Sequence, residues 1–195
     1  MYPEFLNLIN SRPTWEKNMS HTAQLKVLFS RQQIETTVSR LAAEINRDYQ
    51  GKRPLLVGVL KGSCILLSDL VRQLNIPVEI EFVALASYGR STQSSGQVKV
   101  VKGLSDALVR GRDILIVEDI LDTGLSLSRL LNYLKKKKPA SVKICVLLDK
   151  PSRRKVEVKV DYGGLIVPDR FIVGYGLDWN EQFRQLPDIC VLEEI

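Results

Sequence analysis

Three carboxylates, Glu118, Asp119 and Asp122, crowd into the stretch ILIVEDILDTGLSLSRLLNYL, which runs from Ile114 to Leu134. Apolar residues lead into the first two acids. An Asp-Thr-Gly turn follows, and then an amphipathic segment. The pattern is that of a strand, a tight loop and a helix, and a helix start fed by a glycine-containing loop is suited to an anion. Thr123 and Ser126 add hydroxyl donors, Leu125 adds its backbone, and Gly124 allows close approach. Glu118 and Asp119 cannot usefully face that anion. They can instead accept hydrogen bonds from the vicinal hydroxyls of a sugar, with or without a metal. A ligand carrying a phosphate beside a ribose satisfies both halves. A plainer use exists, in which Asp122 caps the helix and the acids favour its positive end. The acids at the strand end weigh against it. The GxxxxGK[ST] phosphate loop is absent, and GYGLDW (174–179) does not complete GxGxxG.

These residues need elements to position them. Residues 1–29 mix Pro, Asn and scattered apolars and read as an irregular arm ending in a short strand at Leu25–Phe29. Ser30 with Gln33 resembles a capping box, and Ile34, Val38, Leu41, Ala42 and Ile45 share one helical face that Gly51 can end. PLLVGVL (54–60), VEIEFVALASY (78–88), QVKVV (97–101), ILIV (114–117) and VKICVLL (142–148) read as strands. Helices are expected at 63–74 and at 125–138, the latter stopping before Pro139. Alternating strands and helices with continuous apolar strands predict an α/β fold: a central, mostly parallel twisted sheet flanked by helices. The residues after about 156 read as short strands and turns forming a small cap.

The chain has 195 residues, of which 45% are hydrophobic and 26% charged, enough for one compact domain without disulfides or metal. Cys64, Cys145 and Cys190 are odd in number, lack CxxC spacing and sit among apolar residues, which reads as buried thiols in a reducing cytosol. His21 is the single histidine, which leaves no Ser-His-Asp triad and no multi-histidine zinc site. The first residues do not read as a secretory leader, and no apolar run approaches the roughly 18 residues of a membrane helix. The net charge of +6 permits nucleic acid, a membrane surface or a small polyanion as partner without choosing among them. KKKK (135–138) and KPSRRK (150–155) could line a nucleic-acid face. Lysines at a helix C-terminus are more often dipole partners, and no DNA-binding motif precedes the domain.

The stretch ILIVEDILDTG resembles the phosphoribosyl-diphosphate loop of the type I phosphoribosyltransferases. VGVLKGS (57–63) resembles their pyrophosphate loop, SYG (87–89) the start of their mobile loop, and IVPDRFIVGYGLDWNEQFRQLP (166–187) the purine site of the members that use hypoxanthine and guanine. The likeness covers about residues 25–195 as one domain: a core at about 30–165 and a hood formed largely by 166–195, preceded by an arm at 1–24. It implies transfer of phosphoribose from phosphoribosyl diphosphate to a 6-oxopurine, hypoxanthine or guanine, in the cytoplasm. The cofactor implied is Mg2+ and the assembly a homodimer or homotetramer, with neither nucleic acid nor membrane as partner. Glu118, Asp119, Asp122, Thr123, Gly124, Leu125 and Ser126 would hold the ribose and 5-phosphate, with Asp122 as the proton shuttle. Lys61, after a cis peptide, would bind pyrophosphate with Gly62 and Arg184, and Ser87 and Tyr88 would open the mobile loop. Lys150 would meet the purine O6, Phe171 or Trp179 would stack on the ring, and Ile172 would offer backbone groups to its edge. Asp178, also beside the purine, would join Glu118 and Asp119 at the metal. Leu125 stands where some relatives carry Lys, so amides and hydroxyls alone would hold the phosphate there. Xanthine-guanine preference, or a donor-sensing regulator of the same fold that binds nucleic acid, are the alternatives.

Overall fold

Strands that alternate between two apolar faces organise the molecule. The computed structural model describes residues 23–87 and 98–194, so His21, Tyr88 and the polar loop after it, GRSTQSSG (89–96), lie outside the described residues. In β2 (Leu55–Leu60), Leu56 enters one core while Leu55, Val57 and Val59 enter the other. In β5 (Asp113–Leu121), Leu115 and Val117 oppose Ile114 and Ile116, and in β6 (Ser141–Asp149), Cys145 and Leu147 oppose Ile144 and Val146. Side chains of successive strand residues point to opposite faces, so a run apolar at every position must be covered on both. With β3 (Glu79–Ser87), β4 (Val98–Lys102) and β7 (Tyr162–Ile166), these strands form a six-stranded sheet of order β4-β3-β2-β5-β6-β7, parallel except for the β3–β4 pair.

One face is covered by α1 (Arg31–Asp48) and α2 (Ser63–Val71). The capping box of α1 is formed: the Ser30 N–H donates to Gln33 Oε1 at 2.9 Å and the Gln33 N–H to Ser30 Oγ at 3.4 Å. The other face is covered by α4 (Leu125–Lys135), with α3 (Asp106–Val109) beside it. A second, antiparallel sheet of order β1-β9-β8 joins β1 (Ala23–Phe29) to β8 (Ile172–Val173) and β9 (Ile189–Glu194), so this hood draws on both ends of the described chain.

Three sequence expectations are corrected. β5 runs four residues past Val117, because Glu118, Ile120 and Leu121 pair with Val146, Leu148 and Asp149; Glu118 and Asp119 are therefore inside the strand and not beyond it. α4 ends at Lys135, and Lys138 turns into the left-handed region at φ 57 with its C=O accepting from the Gly111 N–H at 2.9 Å. Cys64 is exposed, since α2 buries the face carrying Ser63, Leu66, Leu67 and Leu70; Cys145 and Cys190 are buried. No helix among the described residues is long and apolar enough to cross a membrane.

Candidate active site

β2 and β5 are parallel neighbours, but the chain passes from β2 to β3 on one side and returns to β5 on the other. Their carboxyl ends flank a reversal of strand order, which is where open α/β sheets bind ligands. Lys61 and Gly62 leave the end of β2, and Asp122, Thr123 and Gly124 leave the end of β5.

Glu118 and Asp119 are both 9% exposed. Burial, and secondarily the Asp119 charge, pushes the Glu118 carboxyl well above its usual range. Its Oε2 is buried without a hydrogen-bond partner among the described residues. Burial also lifts Asp119 to about 6, opposed by the N–H groups of Asp119 and Ile120 and by the Arg184 charge. Buried polar atoms normally have partners, so Oε2 is a candidate contact for a ligand. Strongly shifted carboxyls in a crevice are characteristic of functional sites.

Gly124, at φ 82, is the N-cap of α4, and at that start the Leu125 N–H donates to Thr123 Oγ1 at 3.4 Å. Asp122 is therefore not a helix cap. The first helical bond of α4 runs from the Ser128 N–H to the Gly124 C=O at 2.9 Å, which leaves the amides ahead of it without helical acceptors. A Cβ on Gly124 would collide with the Val156 carbonyl, and the Thr123 C=O accepts from the N–H groups of Lys155 and Val156 at 2.9 and 3.1 Å. The segment after β6 thus braces the loop. Asp122 Oδ1 is buried without a hydrogen bond among the described residues; Arg153 Nε, 3.6 Å away, is an ion-pair partner too distant for one.

The brace is centred on Arg154, a residue of the basic run KPSRRK (150–155). Its side chain is 11% exposed, and the guanidinium donates to the carbonyls of Leu121 at 3.2 Å and Asp122 at 2.7 Å, and to the Asp149 carboxylate. Two of these acceptors are main-chain oxygens, which residue identity does not reveal. Lys150 also turns inward. It is 5% exposed, its N–H donates to the Leu121 C=O at 3.0 Å and its Nζ to the Arg170 C=O at 2.9 Å, so it is no surface lysine. Phe171, next to Arg170, is 52% exposed and not packed in the core. Ile172 is buried in β8.

The other half of the crevice centres on Gly62. The Leu60–Lys61 peptide is cis. A Cβ on Gly62 would overlap the Asp119 carboxylate, and one on Gly176 would overlap the Gly62 carbonyl. Loop 174–186 therefore lies against the β2 turn, with Gly174, Tyr175 and Gly176 at φ 97, 49 and 99. Arg184 hangs within it: Nη1 donates to the Gly176 C=O at 2.7 Å, and Nη2 meets Asp178 Oδ1 at 2.7 Å and Glu181 Oε2 at 3.3 Å. Asp178 Oδ2 accepts from the Glu181 N–H at 2.9 Å, and Lys61 Nζ lies 2.9 Å from Glu181 Oε1. Trp179, 46% exposed, exchanges backbone bonds with Gln182 in this loop. The structure thus groups Lys61, Gly62, Asp119, Asp178, Trp179 and Arg184 on one side, and Asp122, Lys150 and Phe171 on the other. The end of β5 belongs to both. Ser87 ends β3, while Tyr88 is outside the described residues. Glu181 and Gly176 escaped the sequence reading; the spacing Gly-Tyr-Gly was the available signal for the latter.

Glu118, Asp119 and Asp178 do not form one metal-ligating group: no cluster of three or more His, Cys, Asp or Glu side chains is set to hold a metal among the described residues. The donors present are all carboxylate oxygens, however, and one or two carboxylates completed by substrate phosphates and water is the usual manner of Mg2+. The donor set fits that ion bound jointly with a phosphorylated ligand.

Comparison with known proteins identifies the family. The family model for the phosphoribosyl transferase domain matches residues 25–180, and the chain belongs to that family. Within it, the chain is 49% identical over 175 residues to the hypoxanthine-guanine phosphoribosyltransferase of Bacillus subtilis, covering 90% of this chain and 96% of that protein. It is 46% identical over 172 residues to the Aquifex aeolicus protein of the same name, covering 88% and 96%. A hypoxanthine phosphoribosyltransferase structure from Staphylococcus aureus superposes with a TM-score of 0.82 at 38% identity, covering 95% of this chain and 96% of that one.

Proposed function

We propose that this protein transfers the 5-phosphoribosyl group of phosphoribosyl diphosphate to hypoxanthine or guanine, giving IMP or GMP and pyrophosphate. The observation that carries this reading is the buried carboxylate pair Glu118–Asp119 running into the glycine-led start of α4 at the strand-order reversal. Amides and hydroxyls from Thr123 to Ser126 hold the 5-phosphate. Ribose hydroxyls donate to Glu118, whose lone Oε2 lacks a donor among the described residues, and to Asp119; these bonds favour the ionised carboxylates. The ionised pair then favours positive charge on the sugar as the bond from C1 to the diphosphate breaks.

Purine N9 forms the new bond to C1, pyrophosphate departs with the electron pair, and Asp122 accepts the proton from N7. Lys150 donates to O6, where negative charge gathers as the base ionises. Phe171 lies beside Arg170, whose carbonyl holds the Lys150 ammonium, and offers its exposed ring to the purine. Ile172 meets the base edge, and Trp179 lines the far side. Lys61, Gly62 and Arg184 receive the diphosphate, and Ser87 and Tyr88 begin the loop that covers the reaction. One or two of these carboxylates, Asp178 or those of the Glu118–Asp119 pair, would hold Mg2+ together with the donor's phosphates, and the ion would supply positive charge there.

Residues 25–195 act as one phosphoribosyltransferase domain with a C-terminal hood, working in the cytoplasm as a homodimer or homotetramer. The test is incubation with phosphoribosyl diphosphate, Mg2+ and, in turn, hypoxanthine, guanine, xanthine and adenine, with products identified by mass. IMP and GMP are expected. No nucleotide from either hypoxanthine or guanine would overturn the reading.

A further inference from the structure

The two cations assigned above to pyrophosphate share one carboxylate. Glu181 Oε1 lies 2.9 Å from Lys61 Nζ, and Glu181 Oε2 lies 3.3 Å from Arg184 Nη2. Its two oxygens span a cation at the end of β2 and a cation in loop 174–186, as two oxygens of a bridging phosphate would. The backbone of Glu181 is held in place, at φ 64 with its N–H on Asp178 Oδ2. The side chain itself is 64% exposed and that of Lys61 65%, so neither is confined by packing.

We propose that Glu181 is an internal competitor for the pyrophosphate seat. It pairs with Lys61 and Arg184 in the donor-free protein, yields them to the diphosphate of the donor, and reclaims them to help expel pyrophosphate after transfer. The inference rests on the assignment of Lys61 and Arg184 to the diphosphate. Its physical basis is the weakness of the contacts: the Lys61 pair is exposed on both sides, the Arg184 contact at 3.3 Å is long and exposed on the Glu181 side, and such surface ion pairs alter an equilibrium by only a few-fold. A polyanion that reaches both cations, with Mg2+ beside it, therefore displaces the carboxylate. A buried, tightly held carboxylate would block the donor instead. Asp178 also touches Arg184, at 2.7 Å, but it is half as exposed as Glu181 and anchors the Glu181 N–H, so it stays while Glu181 moves.

The sign of the effect separates this role from a structural one. General damage to the loop weakens anion binding, whereas loss of a competitor strengthens it. Pyrophosphate affinity, by calorimetry with Mg2+ and by product inhibition against the donor, is to be measured for the parent and for Glu181→Gln, alongside nucleotide formation. Glu181→Gln should bind pyrophosphate about threefold to tenfold more tightly and release it more slowly, with the KM for hypoxanthine unchanged. Equal or weaker pyrophosphate binding by a folded variant would overturn the proposal. Glu181→Ala provides a second route should the Gln variant fold poorly. In a Lys61→Ala background the gain should shrink; a gain of full size there would also overturn it. A parent that binds pyrophosphate but makes no nucleotide would sink the reaction assigned above while leaving the Glu181 comparison standing.

Discussion

Asp122 presents a buried carboxylate oxygen with no hydrogen bond among the described residues, at the point where the β5 loop meets the brace from β6. It does not cap α4, and its ion pair with Arg153 at 3.6 Å involves a half-exposed guanidinium, which is worth about 1 kcal/mol at most. Asp122→Asn should therefore leave the melting temperature nearly unchanged while lowering kcat by about 10²–10⁴, the usual contribution of a general acid or base. Undiminished turnover in the purified variant would refute the proton-shuttle role. Asp119 makes a different prediction. Its carboxyl rises from 3.8 to about 6 on folding, so between those values the native state keeps a proton that the unfolded chain has released. The stability it contributes is present below the unfolded value and is lost as the pH rises through about 6, by at most about 3 kcal/mol. Asp119→Asn keeps an oxygen for the amides and removes this dependence. The variant should melt above the parent at about pH 7 and converge with it near about pH 4. Coincident melting curves at both pH values would show that the buried charge costs nothing.

At the scale of elements, loops here are shaped by what packs behind them. Arg154 ties the carbonyls of Leu121 and Asp122 to the Asp149 carboxylate, and so joins the end of β5 to the end of β6, where Lys150 begins. Replacing it strands buried acceptors, at about 1–3 kcal/mol each. Arg154→Met should lower thermal stability and reduce kcat by about tenfold or more, with less change in the donor KM, because a misplaced catalytic group loses rate steeply. Arg154→Lys should recover only part of the loss, since one ammonium cannot reproduce a planar fork. Steady-state kinetics and thermal melts of the two variants check this; full activity in Arg154→Met would remove the brace from the account. Gly62 follows the same logic, because the Asp119 carboxylate fills the space a side chain would need.

For the molecule as a whole, the hood links sequence ends that lie far apart. β1 pairs with β9 from Ala23–Glu194 to Phe29–Ile189, and β9 pairs with β8, which carries Ile172. The Arg31 N–H also donates to Asp188 Oδ1 at 2.7 Å, fastening the start of α1 to the entry of β9. Deleting residues through Phe29 would expose the unpaired edge of β9 and loosen the strand proposed to meet the base. The expected result is a higher KM for hypoxanthine, earlier melting and protease sensitivity near the C-terminus, with donor binding less affected. Unchanged base affinity in the truncated protein would separate the hood from the purine site.

The amino-acid sequence alone determined the two-faced parallel sheet, the α1 capping box and the order of the loops. Such features depend on local periodicity, as at Ile114–Val117, and on side chains meeting their own near neighbours, as Ser30 meets Gln33. The resemblance of its motifs pointed in turn to the reaction class. Only the tertiary structure decided that Glu118 and Asp119 lie inside β5, because the pairing that lengthens the strand comes from β6. It likewise decided that Lys150 and Arg154 point inward and that Glu181 bridges Lys61 and Arg184, 120 residues of chain separating Lys61 from Glu181. Their partners are main-chain carbonyls and distant side chains. Such contacts are set by how the loops stack at the sheet's end, which no local pattern of residue types encodes.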